Sequence, residues 1–220
     1  FISKIVKLPV SDFGMPKFEI KIRWILIAIL LPCIIKGIYV LIFNGEYVSS
    51  NMNGNEIFNT LSAGVAFTGI AAGFVEEMVF RGVILNALKK RWNMKVAVIV
   101  PSMLFGIVHV LGQDFSIGSC LLVIIAGTMV GVMFSMIAIE SGSVWNSGIV
   151  HAIWNIVIIG GGLAIGEKMD PYSVMTYVLD SKVFAITGGE FGIESSVISL
   201  IGYIIVAGIA FIMIKSNRKN

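Results

Sequence analysis

GFVEEMVFRG, residues 73–82, sets Glu76, Glu77 and Arg81 into a run with no other charge between Ile57 and Leu88. A charge at the centre of a bilayer costs ~2.5–3.5 kcal/mol on insertion scales, so three survive there only if they pair or act. Whether this run lies in lipid therefore decides both the fold and where function is sought.

Composition answers the first point. Of the 220 residues, 57% are hydrophobic and only 13% are charged, against roughly 25% charged residues in a soluble domain. Mean hydropathy is +0.94. These values exclude an ordinary soluble domain and predict an all-α, polytopic transmembrane helical bundle. Apolar runs of about 20 residues match a ~30 Å hydrocarbon core, and six can be marked, at about 22–43, 57–88, 96–112, 118–139, 143–165 and 196–214. The second, at 1.5 Å per residue, measures roughly 48 Å, so it is expected to tilt, protrude or begin as an interfacial helix around Ile57 to Ala63. The third is short and carries Pro101 near its start, where a kink is expected. The resulting organisation is a cytosolic segment over residues 1–21, one transmembrane domain over 22–214 with a motif core at about 57–165, and a basic cytosolic tail over 215–220.

Basic residues orient the bundle, because Lys and Arg collect on the cytoplasmic side. Lys4, Lys7, Lys17, Lys21 and Arg23 precede the first span; Lys89, Lys90, Arg91 and Lys95 follow the second; Lys215, Arg218 and Lys219 end the chain. The loop NGEYVSSNMNGNE and the loop GQDFSI have neither Lys nor Arg, and residues 166–195 contain only Lys168 and Lys182. Six spans with both termini in the cytoplasm of a bacterial plasma membrane fit this distribution. The net charge of +3 is accounted for by topology and requires no nucleic-acid partner. A first residue Phe1 in place of Met leaves room for an upstream segment.

Cys33 and Cys120 fall within spans and read as buried thiols, with no disulfide framework. The pairs Gly69/Gly73 and Gly127/Gly131 are small-xxx-small patterns that read as close helix packing, and the Gly160–Gly162 triplet as a break at the outer end of the fifth span.

The informative residues are the polar ones inside spans: Lys36, Glu76, Glu77, Arg81, His109, His151 and Asn155. Counted from the basic ends, Glu76, His109 and Asn155 lie ~18–21 Å deep and His151 ~12 Å, on three different helices. A shared intramembrane site is the economical explanation. Helical spacing pairs Glu77 with Arg81, Phe105 with His109 and His151 with Asn155, while Glu76, about 100° round from Glu77, points elsewhere. Two readings follow: Glu77 and Arg81 form a structural pair and Glu76 faces the histidines, or Arg81 bridges both carboxylates and the histidines are satisfied core residues. Ser102 and Ser147, with no partner acid, read as packing residues, and Lys36 as a snorkelling side chain or a partner for Glu140.

The three pairs EEMVFR, FGIVH and HAIWN occur in order on successive apolar segments. They resemble the EExxxR, FxxxH and HxxxN motifs of the CPBP (CAAX protease and bacteriocin-processing, or Abi) family over roughly residues 57–165. The resemblance implies an intramembrane endopeptidase whose site opens to the cytosolic side or to lipid, and which hydrolyses a membrane-associated peptide or protein of CAAX or bacteriocin/pheromone type. It implies Glu76 as the base that activates water, His109 as the group that holds it, His151 and Asn155 as oxyanion donors, Glu77 and Arg81 as a support pair, and Phe105 as packing behind His109. It also admits a zinc ion on Glu76, His109 and His151, with the base role then passing to Glu77; the metal-free route is preferred. The chain lacks an HExxH arrangement. The competing functions are a non-proteolytic immunity or scaffold protein of the same fold and, further off, a proton-coupled transporter. Peptide or protein substrate and lipid bilayer are the expected partners. The loop from 166 to 195 is expected to rest in part on the outer membrane surface.

Overall fold

The computed structural model describes residues 9–217. Lys4, Lys7, Arg218 and Lys219, used above for orientation, lie outside the described residues. Six helices carry the fold: α1 Ile22–Ile42, α2 Gly54–Arg91, α3 Met94–Val108, α4 Ile117–Ser141, α5 Val144–Ile159 and α6 Val197–Asn217. The protein is an all-α polytopic bundle. Each helix corresponds to one expected span, and they run alternately up and down, so the basic starts and finishes gather at one end. Helices α1, α2, α4 and α6 are long and apolar enough to cross a membrane, whereas α3 and α5 are shorter apolar helices.

Their lengths differ from the sequence expectation in an instructive way. Helix α3 stops at Val108 rather than about residue 112, and α5 at Ile159 rather than about 165. With 15 and 16 residues, they rise only ~22–24 Å, short of the hydrocarbon thickness. The space beyond them is filled by a small sheet that the hydropathy pattern did not suggest. Strand β1 Gly45–Ser49 pairs antiparallel with β3 Met175–Leu179, Gly45 opposite Leu179, and β3 pairs in parallel with β2 Leu163–Gly166. Gly160 caps α5, and Gly161 takes φ +80°, turning the chain into β2. The glycine triplet is thus the expected break.

Lys36 belongs to this arrangement. Its ammonium donates to the Leu163 carbonyl at the start of β2, tying α1 to the sheet rather than reaching a head group. Nor does it meet Glu140, whose buried carboxylate is taken by Arg23 at 2.5 Å and by the Trp24 indole N–H at 2.9 Å.

Helix α2 continues for 38 residues, beginning behind a capping box in which Asn53 accepts from the Asn55 and Glu56 N–H groups and Glu56 reaches back to Asn53 N–H. Two stretches, Gly64–Ala71 and Met78–Ile84, are π-helical, a form that collects at functional sites because it re-aims side chains. Gly64, Gly69 and Gly73 seat α2 on α5: a Cβ at Gly73 would meet the Ala152 backbone at 2.8 Å. Gly127 and Gly106 make the equivalent approach between α4 and α3, with 2.6 Å left for a Cβ at Gly127. Both small-residue patterns therefore serve packing inside one chain.

The core lies among α1, α4, α5 and α6, around Trp24, Tyr39, Met133, Phe134, Trp154 and Tyr203. Large apolar side chains such as Leu26, Leu41, Phe67, Val75 and Ile212 point outward, the surface that lipid covers. Cys33 lies on this outer surface rather than in the core, and Cys120 is half-buried; both are free.

The basic end is closed by the segment preceding α1. A 3-10 turn, Val10–Phe13, leads to Gly14, whose carbonyl accepts from Val144 N–H at 2.9 Å. Pro16 accepts from the Trp145 indole at 2.9 Å, Glu19 from the Asn146 amide at 3.0 Å, and Asp12 pairs with Lys90 at 2.8 Å. This strap crosses the ends of α2 and α5.

Candidate active site

Glu77 and Arg81 lie one turn apart on α2 and are 0% and 1% exposed. Arg81 Nη1 donates to Glu77 Oε1 at 2.7 Å, and Nη2 donates to the Gly131 carbonyl on α4 at 3.0 Å. The guanidinium carbon sits 4.6 Å from the Phe105 ring centroid and 5.3 Å from that of Phe134, so aromatic faces replace water around the charge. The expected ion pair is present, but it is not separate from the histidines. Glu77 Oε1 also contacts His151 Nδ1 at 3.3 Å.

His151 stands between the two glutamates. Its Nδ1 faces Glu77, and its Nε2 lies 3.8 Å from Glu76 Oε2. Phe134 stacks on the ring at 4.5 Å and 19°, fixing its plane. The glutamate doublet, 100° apart on one helix, straddles one imidazole from another. Glu76 differs from its neighbour in exposure: its side chain is 33% exposed, that of Glu77 not at all. A base must reach water, so Glu76 is suited to that part and Glu77 is not.

His109 follows the last residue of α3. Its Nδ1 meets the Phe105 carbonyl at 2.6 Å, and its ring packs 4.6 Å from Phe105. A carbonyl only accepts, so Nδ1 carries a proton, and in the neutral ring Nε2 presents a lone pair. Asn155, one turn beyond His151, donates to the Thr68 carbonyl at 2.9 Å, leaving its second amide hydrogen free of that bond. Glu76, Phe105, His109, His151 and Asn155 all line a single cavity of about 170 Å³. Side chains from three helices, expected from residue counts to reach a similar depth, thus line one cavity.

Glu76, His109 and His151 do not gather as ligands. Among the described residues no three His, Cys, Asp or Glu side chains come close enough to hold one metal ion. As arranged, the residues do not fit a zinc triad. Ser102 and Ser147 donate to carbonyls of their own helices, Val98 at 2.6 Å and Val144 at 3.2 Å, the packing role expected for them.

Sequence reading missed several walls of the cavity. Phe134 and Tyr203 are apolar-run residues with no spacing signal. Phe191 and Glu194 come from the loop expected to rest on the membrane surface. Its end turns inward: Phe191 packs edge-on to His109 at 6.1 Å, and Tyr203 donates to the Glu194 backbone carbonyl at 3.0 Å.

Comparison with known proteins bears on the same segment. The family model for type II CAAX prenyl endopeptidase Rce1-like proteins matches residues 58–157, just under half the chain, and contains every residue of the three motif pairs. No curated protein and no solved structure matches the chain. With matched motifs converging on one cavity inside an apolar helical bundle, the chain is similar over residues 58–157 to the type II CAAX prenyl endopeptidase Rce1-like proteins, the same resemblance that its three motif pairs carry.

Proposed function

We propose that the protein is an intramembrane endopeptidase that hydrolyses a peptide bond of a membrane-associated substrate with water activated by Glu76. The observation that carries this reading is the contrast within the doublet: Glu77 sealed against Arg81 and His151, Glu76 open to the cavity.

A water held between Glu76 and the Nε2 lone pair of His109 gives a proton to the Glu76 carboxylate, and its oxygen adds to the substrate carbonyl carbon. The oxyanion that forms receives the free Asn155 amide hydrogen and an Nε2 hydrogen of His151. The carbon–nitrogen bond then breaks as the proton on Glu76 passes to the departing amine. Glu77, Arg81 and Phe105 act at one remove, by fixing the two imidazoles.

The substrate is a peptide or protein in or at the membrane, and both termini of the enzyme face the cytoplasm of a bacterial plasma membrane. The reading is tested by incubating detergent-purified protein with a library of membrane-associated peptides and identifying products by mass spectrometry. Cleavage lost in Glu76→Ala and in His109→Ala is the expected result; a cellular phenotype retained by both variants, with no cleavage by the parent, favours the immunity or scaffold function. Zinc content measured beside activity in chelator addresses the metal: full activity without bound zinc is expected, and activity that tracks stoichiometric zinc overturns the metal-free route.

A further inference from the structure

The catalytic cavity is closed toward the basic end. Phe105, Phe134 and the Glu77–Arg81 pair lie across it there, and beyond them the strap of residues 10–19 joins α2 to α5. A cavity of about 240 Å³ does exist at that end, beside Gly14, Arg81, Asn86 and Lys89, but it shares no lining residue with the catalytic one.

The opposite end differs. Because α3 and α5 stop short, a cavity of about 730 Å³ opens between the sheet and the segment Phe184–Glu194. Ile159, Phe191 and Glu194 line both this cavity and the catalytic one, so the two are separated by the thickness of those side chains. The larger cavity has the volume of a short peptide segment rather than of a water channel.

Its charge is one-sided. Glu167, Asp170, Glu190 and Glu194 line it against Lys168 alone. The hydrogen bonds that three of the acids receive come from neutral donors: Thr187 to Glu167 at 2.6 Å, Ser173 to Asp170 at 2.5 Å, and Ser116 to Glu190 at 3.0 Å. Nearby Lys182 donates to the backbone carbonyls of Glu167 and Leu179. Among the described residues none of the four carboxylates forms an ion pair with a cation. Glu194 is placed at the junction by a tightly bonded turn: Ser195 Oγ donates to Gly188 at 2.7 Å, Ser199 Oγ to Ile193 at 2.6 Å, and Tyr203 to Glu194 itself.

We propose that this larger cavity is the entrance and binding subsite for a basic stretch of the substrate peptide, reached from the face opposite the basic ends and not from the cytosolic side or lipid as the resemblance implies, with Glu194 meeting a substrate cation next to the catalytic cavity. The inference rests on the endopeptidase reading for its substrate, but its first test does not need turnover. The field of several like charges in a partly enclosed cavity selects cations by about 10-fold or more.

In a Cys33→Ala, Cys120→Ala background, Ala164→Cys reports the cavity and Ser216→Cys the basic end, each in sealed phosphatidylcholine vesicles of known orientation. Membrane-impermeant thiol reagents are expected to reach the two positions from opposite faces. At Ala164→Cys a cationic methanethiosulfonate reacts about 10-fold faster than an anionic one, an amidated Lys-Leu octapeptide slows the reaction and a Glu-Leu octapeptide does not. At pH 8, where the Glu194 carboxyl is ionised, Glu194→Gln brings the cation preference down severalfold. Labelling of both positions from one face, or equal rates for the two reagents, overturns the proposal, whether or not any peptide is cleaved. With a cleavable peptide, replacing its basic residues by norleucine raises KM at least several-fold in the parent and leaves it unchanged in Glu194→Gln; an equal rise in both removes Glu194 from the role.

Discussion

Glu77 serves three partners with one oxygen and its neighbours: Arg81 on its own helix, His151 on α5 and, through Arg81, the Gly131 carbonyl on α4. Removing the cation alone strands a carboxylate with no exposed surface. Arg81→Met should therefore destabilise the protein by about 3–5 kcal/mol, read as a lower midpoint of denaturant unfolding in detergent. Adding Glu77→Gln to it should recover part of the loss, because the uncompensated charge is then gone; a double variant less stable than Arg81→Met would contradict this. The Glu77–Arg81 pair was legible from the i, i+4 spacing. The Glu77–His151 contact was not, since it joins residues 74 positions apart and periodicity speaks only within a helix. Exposure, the property that separates Glu76 from Glu77, is likewise a product of what other helices bring near.

Among elements, hydropathy located all six helices, and composition placed glycine where helices touch. It did not locate the sheet, because β1 is a short polar loop segment whose partner β3 lies some 130 residues later. The loop's inward turn escaped notice for the same reason: nothing local in GGEFGIESS says that Phe191 meets His109. The α2–α5 contact carries a definite expectation. Gly73→Val forces a Cβ against the Ala152 backbone, and overpacking of this kind costs about 1–3 kcal/mol or more. Both stability and catalysis should fall, since α2 carries Glu76 and α5 carries His151 and Asn155. Gly37→Val, where a Cβ meets nothing within 4 Å, is the control expected to leave unfolding within about 0.5 kcal/mol.

For the whole molecule, two short helices, α3 and α5, among four long ones leave a bundle closed at its basic end and hollow at the other. One titration follows from the hollow. Burial raises the Glu194 carboxyl to about 7, opposed by the neighbouring Trp154; Glu76, His109 and His151 line the same cavity. A carboxyl held above its unfolded value binds more protons in the folded state between about pH 4.5 and pH 7, so its contribution to stability is present below that window and lost as pH rises through it. Thermal midpoints of parent and Glu194→Gln should accordingly diverge in favour of the variant between pH 5 and pH 8. A constant difference across that range would remove Glu194 as the cause.

The central claim concerns one carboxylate, and Glu76→Gln keeps its size while removing its basicity. The ratio of kcat/KM for parent and Glu76→Gln on one cleaved peptide, with both proteins melting at the same temperature, tests it most directly. Loss of general-base action predicts a fall of about 10²–10⁴-fold, carried by kcat. A variant that cleaves within about tenfold of the parent would contradict the assignment of Glu76 as the base.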